Sequence, residues 1–236
     1  MENNVKRFYL AFLLRCTIIL LLVVNFIYCI TQFENGYDVL NFFAFFTNLS
    51  NIAVLFLMLV LVLKMIKNFE QKQISQANAG LYLFVVFMIT STLIIFTGLV
   101  IVLIAVGYFN TAVVPVGDML TNINMHYIIP ALVLLDYHYF IKHKKIKMQT
   151  ACIFTSFTFL YFFMLLLRAK TNVPLQDMPE INYVSLYPYP FLDVNFLSLP
   201  KLILSLSLCG FGFLFFSSLL IIINNKLSTK EAKVKN

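Results

Sequence analysis

Residues 8–30 read FYLAFLLRCTIILLLVVNFIYCI, an apolar run with a single charge, Arg15. A helix needs about 20 apolar residues to cross the hydrocarbon core of a bilayer. Five similar runs follow, at residues 41–66, 81–107, 121–141, 151–167 and 202–223. They lack the alternation of membrane β-strands, and helices satisfy their own backbone groups in lipid. The sequence therefore predicts an all-α, polytopic membrane protein with six transmembrane helices, forming a single domain over residues 1–236.

The composition supports a membrane protein, because 61% of the residues are hydrophobic and only 11% are charged. Soluble domains carry about a quarter charged residues. Of the 17 Lys and Arg residues, 13 lie in the joints and termini of one side, 3 lie on the other side, and Arg15 lies within a run. This asymmetry predicts that both termini are cytoplasmic. It also argues against a nucleic-acid partner for the net charge of +7.

The first apolar run does not resemble a cleaved signal peptide, and the reactive side chains form no cofactor motif. The first run is too long for a signal peptide, so we expect it to be retained as a helix. The four cysteines are not paired by spacing, and the sequence has no nucleotide-binding, redox or metal-ligand motif. We therefore expect no disulfide, metal or cofactor. The basic tail from about residue 225 is predicted to be frayed and weakly attracted to anionic lipid.

The joint between the last two runs, residues 168–201, contains five of the seven prolines and is predicted to be ordered and stiff. These prolines are Pro174, Pro179, Pro188, Pro190 and Pro200. Within the joint, residues 187–193 read YPYPFLD. Tyrosines collect at the headgroup level of membranes, so this segment is predicted to be an interfacial anchor or the roof of a lipid-binding cavity.

Two opposite charges lie at matching depths in the predicted helices. Arg15 is about two turns from the cytoplasmic end of the first run, and Asp136 is one to two turns from that end of the fourth. An unpaired charge at such a depth costs at least about 2.5–3.5 kcal/mol. We therefore predict a structural ion pair between Arg15 and Asp136. The alternative is that Arg15 extends to the inner headgroups.

Two further groups, Thr47 and His126, lie near the opposite membrane face. Thr47 shares a helical face with Ser50 and Asn51, a pattern that also serves helix–helix hydrogen bonding. His126 precedes Pro130 by four residues, so its carbonyl is expected to lose its helical partner. An imidazole has an unperturbed pKa of about 6.5, which suits a base near neutral pH.

The shared depth of Thr47 and His126 suggests chemistry, because a hydroxyl becomes a nucleophile when a base lies within hydrogen-bond reach. Both lie within two turns of the external boundary, on helices that run in the same direction. Their predicted polar support consists of Asn48, Ser50, Asn51, Asn122 and Asn124.

Three segments resemble the bacterial six-span proteins named Pr-six-Pr. Residues 46–51, FTNLSN, are similar to a Phe-Thr-x-x-Ser-Asn pattern, residues 126–130 to a His-Tyr-x-x-Pro stretch, and residues 187–193 to a Tyr-Pro-Phe-x-Asp element. That family is distantly similar to the androgen-induced and androgen-dependent membrane proteins, which are threonine hydrolases of hydroxy-fatty-acid esters. The resemblance implies Thr47 as nucleophile, His126 as base, and a bacterial plasma membrane as location.

Two functions follow as hypotheses. The first is a hydrolase that cleaves lipid esters through Thr47 and His126, with the acyl chain held by Phe43, Phe46 and neighbouring apolar groups. Its partner would be a membrane lipid or another acyl-chain substrate. The second is a non-enzymatic membrane protein, either a small transporter or a scaffold. In that case polar residues of the third run would line a path, namely Thr90, Ser91, Thr92 and Thr97.

Overall fold

A computed structural model describes residues 2–34, 36–105, 116–178, 183–189, 192–193 and 197–234 of the chain. Most of these residues are helical. In chain order they form α1 (Glu2–Thr31), α2 (Tyr37–Ala44), α3 (Phe46–Lys67), α4 (Ala79–Ala105), α5 (Val116–Ile123), a π-helical turn (Asn124–Ile128), α6 (Ile129–Phe140), α7 (Thr150–Ala169), β1 (Gln176–Met178), β2 (Tyr183–Ser185) and α8 (Leu199–Val234).

Five helices in the described part of the chain are long and apolar enough to cross a membrane. They are α1, α3, α4, α7 and α8, and they correspond to five of the six predicted runs. These helices are typical of a multi-pass membrane protein. The run at residues 121–141 is instead divided among α5, the π turn and α6. A sixth span and the cytoplasmic termini stay predictions.

The second predicted run begins later than expected, because the backbone is broken at Phe45. This residue is extended, with φ −88° and ψ 126°, and it separates the short α2 from α3. Across the break, Asn48 Nδ2 donates to the carbonyl oxygen of Phe42 at 2.8 Å. The amide thus satisfies a carbonyl at the end of α2 that the interrupted helix leaves without an N–H donor.

The C-terminal tail is helical, which corrects the prediction of a frayed segment. Helix α8 continues without a break to Val234. Neither glycine nor proline occurs after Gly212, and Lys, Leu, Glu and Ala are good helix formers. Thr229 Oγ1 also donates to the carbonyl oxygen of Asn225, as threonines in helices often do.

The described part of the chain is mostly helical, as predicted, and it also contains one short pair of antiparallel strands. Strand β1 pairs with β2 in the register Gln176 to Ser185 and Met178 to Tyr183. The hairpin belongs to the joint at residues 168–201. Two of the prolines on which the stiffness of that joint was predicted, Pro179 and Pro190, lie outside the described residues.

The chain forms two compact units. The first comprises Met1–Gln32 and Leu49–Lys144, and the second comprises Phe33–Asn48 and Lys145–Asn236. A single domain over the whole chain stays a prediction.

In the first unit, α1 buries one stripe of side chains at alternating intervals of three and four residues. The stripe consists of Phe8, Ala11, Arg15, Ile18, Leu22 and Asn25, each at most 3% exposed. This spacing places all of them on one face of the helix. Two of the six are polar, so both Arg15 and Asn25 must find their partners inside the protein.

In the second unit, a network of polar contacts holds the joint at residues 168–201. Arg168 Nη1 donates to the carbonyl oxygen of Leu186 at 2.8 Å. Ser185 Oγ donates to Asp193 Oδ2 at 2.8 Å and accepts from the N–H of Tyr187 at 3.1 Å. Tyr187 and Asp193 are both buried. Tyr187 therefore does not lie on the lipid-facing surface, as an interfacial anchor would.

Candidate functional site: a polar cluster around a π turn

The structure brings Arg15 and Asp136 together, as predicted. Arg15 Nε donates to Asp136 Oδ1 at 2.8 Å, and neither side chain is exposed. The second carboxylate oxygen accepts a hydrogen bond from Tyr82 at 2.5 Å. Since a buried charge needs both a counter-ion and hydrogen bonds, Tyr82 completes the carboxylate end of the pair.

The guanidinium end of this ion pair holds the joint between α3 and α4. Arg15 Nη1 donates to the carbonyl oxygen of Ser75 at 3.2 Å and to its hydroxyl oxygen at 3.0 Å. The Ser75 hydroxyl in turn donates to the carbonyl oxygen of Leu61. Sequence reasoning missed Ser75 and Tyr82, because a serine in a joint and a tyrosine in an apolar run carry no signal of a charge partner.

The candidate base, His126, lies within the π turn and is 7% exposed. Its Nδ1 lies 2.9 Å from the carbonyl oxygen of Asn122. A carbonyl only accepts, so Nδ1 carries the proton, and the lone pair of the neutral ring resides on Nε2. The imidazole is stacked on Phe96, with ring centroids 3.7 Å apart. These two contacts fix the ring with Nε2 as its proton-accepting atom.

The π turn itself is supported by Asn51. The N–H of Ile129 bonds to the carbonyl of Asn124, five residues back. In the same π spacing, the next carbonyl, that of Met125, would need the N–H of residue 130. Residue 130 is Pro130, which has no N–H. Asn51 Nδ2 donates to that carbonyl at 3.4 Å. The predicted loss of a helical partner at the His126 carbonyl stays a prediction.

Further polar side chains of the first unit pair close to this turn. Ser50 Oγ and Thr92 Oγ1 lie 2.8 Å apart. Asn124 Nδ2 donates to Asn25 Oδ1 at 3.3 Å, while Asn25 Nδ2 has no partner among the described residues. Asn25 was missed in the sequence because an isolated asparagine is also common as a bond between membrane helices.

The candidate nucleophile, Thr47, belongs to the second unit. It lies in the first turn of α3 and is 9% exposed. The helix break beside it is held by Tyr161, which donates to the carbonyl oxygen of Ala44 at 2.7 Å and packs its ring against Phe46. Thr47 and His126 lie in different units, so their pairing stays a prediction.

The hydroxyls that could line a transport path are engaged within their own helix. On α4, Thr90, Ser91, Thr92 and Thr97 each donate to the carbonyl four residues earlier, at 2.6–3.0 Å. Such bonds satisfy a hydroxyl in an apolar environment without a ligand. Thr92 Oγ1 additionally lies 2.8 Å from Ser50 Oγ of α3, so these hydroxyls have partners within the protein.

Among the described residues, no three His, Cys, Asp or Glu side chains form a group that could hold a metal ion. The four cysteines are free thiols. Comparison of the chain with protein-family models, with curated proteins and with solved structures finds no match.

Proposed function

We propose that this chain is an integral membrane enzyme that hydrolyses ester bonds of membrane lipids, with His126 as the base and Thr47 as the nucleophile. The observation that carries the proposal is the hydrogen bond from His126 Nδ1 to the Asn122 carbonyl, which assigns the proton to Nδ1 and makes Nε2 the basic atom of the neutral ring. The apolar helices and the resemblance of residues 46–51 and 126–130 to Pr-six-Pr proteins support the same function.

The reaction would proceed in two steps. In the first, His126 Nε2 takes the hydroxyl proton of Thr47, and Oγ1 attacks the ester carbonyl of the substrate. The protonated imidazole then gives its proton to the departing alcohol, and the acyl group stays on Thr47. In the second step, His126 activates water, which releases the acid and restores both side chains.

The chemical setting suits an apolar ester. Asn25 Nδ2 would donate to the carbonyl oxygen as negative charge develops on it. The acyl chain would lie against aromatic side chains such as Phe43 and Phe46, and the reaction requires no cofactor.

The test is labelling of the purified protein with a fluorophosphonate probe, together with turnover of fluorogenic acyl esters. We expect Thr47→Ala to abolish both and His126→Ala to lower turnover by at least about a hundredfold, the usual contribution of a general base. Thr97→Ala and His138→Ala are the matched controls. Thr97 is bonded within its own helix, and His138 is exposed at the end of α6.

Labelling that persists in Thr47→Ala would contradict the assignment of the nucleophile. If the wild-type protein neither turns over esters nor reacts with the probe, while remaining folded by circular dichroism, the chain is not a hydrolase of this class. The non-enzymatic function, a transporter or a scaffold, would then be the working hypothesis.

A further inference from the structure

A basic groove lies at the C-terminal end of the second unit, between α8 and the joint that precedes α7. Its volume is about 680 Å³, within the range of about 300–1,000 Å³ typical of small-molecule sites. The lining residues are Lys145, Ile222, Asn225, Lys226, Thr229, Lys230 and Lys233. Four of the seven carry a positive charge, and none of the seven is acidic.

The groove exists because the tail is helical and the joint is tied to it. Asn225 Oδ1 accepts the N–H of Ile146 at 2.8 Å, and its Nδ2 donates to the carbonyl oxygen of Ile146 at 2.9 Å. This two-bond clasp engages both backbone groups of one residue, much as a neighbouring strand would. It holds Lys145 on the opposite wall of the groove from the lysines of α8.

The lysines of α8 converge on the groove because of their spacing. Lys226, Lys230 and Lys233 are separated by four and three residues, which places them on one face of the helix. Together with Lys145 they surround the groove with four ammonium groups whose mutual repulsion an anion would relieve. A single charge on the ligand would leave most of that repulsion in place, so the site suits a group with two negative charges.

The position of the groove along the membrane normal favours a lipid ligand over a soluble anion. Its apolar edge is Ile222, which is 40% exposed and belongs to the apolar part of α8. Lys226 follows Ile222 by four residues, about 6 Å along the helix axis. The polar layer on each side of a bilayer is about 5–8 Å thick. The first lysine therefore lies at headgroup depth when Ile222 touches the acyl chains.

We propose that this groove binds the headgroup of an anionic phospholipid with a phosphomonoester or a second phosphate, in the leaflet predicted to be cytoplasmic. The phosphate oxygens would contact Lys145 and the lysines of α8, and the first part of an acyl chain would lie on Ile222. The site is independent of Thr47 and His126, so it stands or falls separately from the proposed hydrolysis.

The test measures lipid binding to the full chain by native mass spectrometry, with dioleoyl phosphatidic acid and dioleoyl phosphatidylcholine as probes. We expect the wild-type protein to retain phosphatidic acid preferentially. The double variant Lys145→Gln/Lys230→Gln should lower that affinity by about twenty-five-fold, since each juxtamembrane lysine contributes about fivefold. Both side chains are exposed, so the variant should fold, and circular dichroism would check this.

A matched control is Lys64→Gln/Lys67→Gln, which removes the same charge from exposed lysines at the end of α3. This control should keep the wild-type affinity within about twofold. An equal loss in both double variants would show attraction by net charge alone and would overturn the proposal. Inorganic pyrophosphate that displaces phosphatidic acid at equal concentration would instead identify a soluble phosphate ligand, and would also overturn it.

Discussion

Replacing Asp136 with asparagine tests the ion pair inside the first unit. The substitution keeps the size of the side chain and the acceptor for Tyr82, but it removes the charge opposite Arg15. Arg15 is fully buried, and its Nη2 already has no partner among the described residues. The guanidinium would then be a buried charge without a counter-ion, which is the condition that makes such changes expensive.

The expected cost is about 3–5 kcal/mol of unfolding free energy, the usual loss when one partner of a buried ion pair is removed. A Coulomb energy of about 4 kcal/mol for unit charges 4 Å apart, at an effective dielectric constant of about 20, is of the same size. The assay is reversible unfolding of the purified protein in mixed micelles with increasing SDS, followed by circular dichroism.

Two further variants make this prediction specific to the ion pair. Asp118→Asn changes another acid of the first unit, which is half-buried and accepts only the hydroxyl of Tyr28 at 3.1 Å among the bonds described. It should cost about 1 kcal/mol or less. The apolar double variant Arg15→Met/Asp136→Leu should recover most of the loss, because neither charge is then buried. A cost below about 1 kcal/mol for Asp136→Asn, or a double variant as unstable as the single one, would refute the reasoning.

Two other predictions concern the second unit. A methyl group on Gly210 would lie 2.6 Å from the ring of Phe159, whereas one on Gly212 meets nothing within 4 Å. In the same SDS titration, Gly210→Ala should therefore lower the unfolding free energy by about 1–2 kcal/mol. Gly212→Ala should be neutral or stabilising. Ser185→Ala removes the hydroxyl that donates to the buried Asp193. The variant should lose about 1–3 kcal/mol of unfolding free energy and show faster proteolysis within residues 168–201. Unchanged cleavage would contradict the role of this bond.

The parts of the fold that follow from the cost of transferring groups into lipid could be predicted from the sequence. Run length predicted six spanning helices, and five helices of spanning length are present in the described part of the chain. The meeting of Arg15 and Asp136 followed from depth, because charges within apolar runs have few acceptable positions. These inferences need only the chain's own composition and the thickness of a bilayer.

The parts that depend on particular contacts could not be predicted in this way. The break at Phe45 depends on a side-chain bond from Asn48, and nothing in the run at residues 41–66 marks it. The π turn depends on Asn51 reaching the Met125 carbonyl from a distant part of the chain. Asn225 of the helical tail bonds to both backbone groups of Ile146, in the joint before α7. Hydropathy records none of these pairings.

For the same reason, the sequence predicted the residue types of the candidate site but not their hydrogen-bond partners. His126 was identified by residue type, and its orientation came only with the bond to the Asn122 carbonyl. Four of the five predicted supporting residues have individual side-chain bonds: Asn48 to Phe42, Ser50 to Thr92, Asn51 to Met125 and Asn124 to Asn25. The fifth, Asn122, contributes its backbone carbonyl to His126. Their types could be read from the sequence, but their partners could not.

The π turn contains one residue more than an α-helix needs to cover the same rise. The π turn is therefore equivalent to a one-residue insertion in a helical segment. His126 lies in the wider turn, and Asp136 lies in the regular helix that follows. Deleting Tyr127 would allow a continuous α-helix in which Asp136 still faces Arg15, while the imidazole loses its present setting. A deletion of one residue would thus change the setting of His126 and leave the ion pair between Arg15 and Asp136 in place.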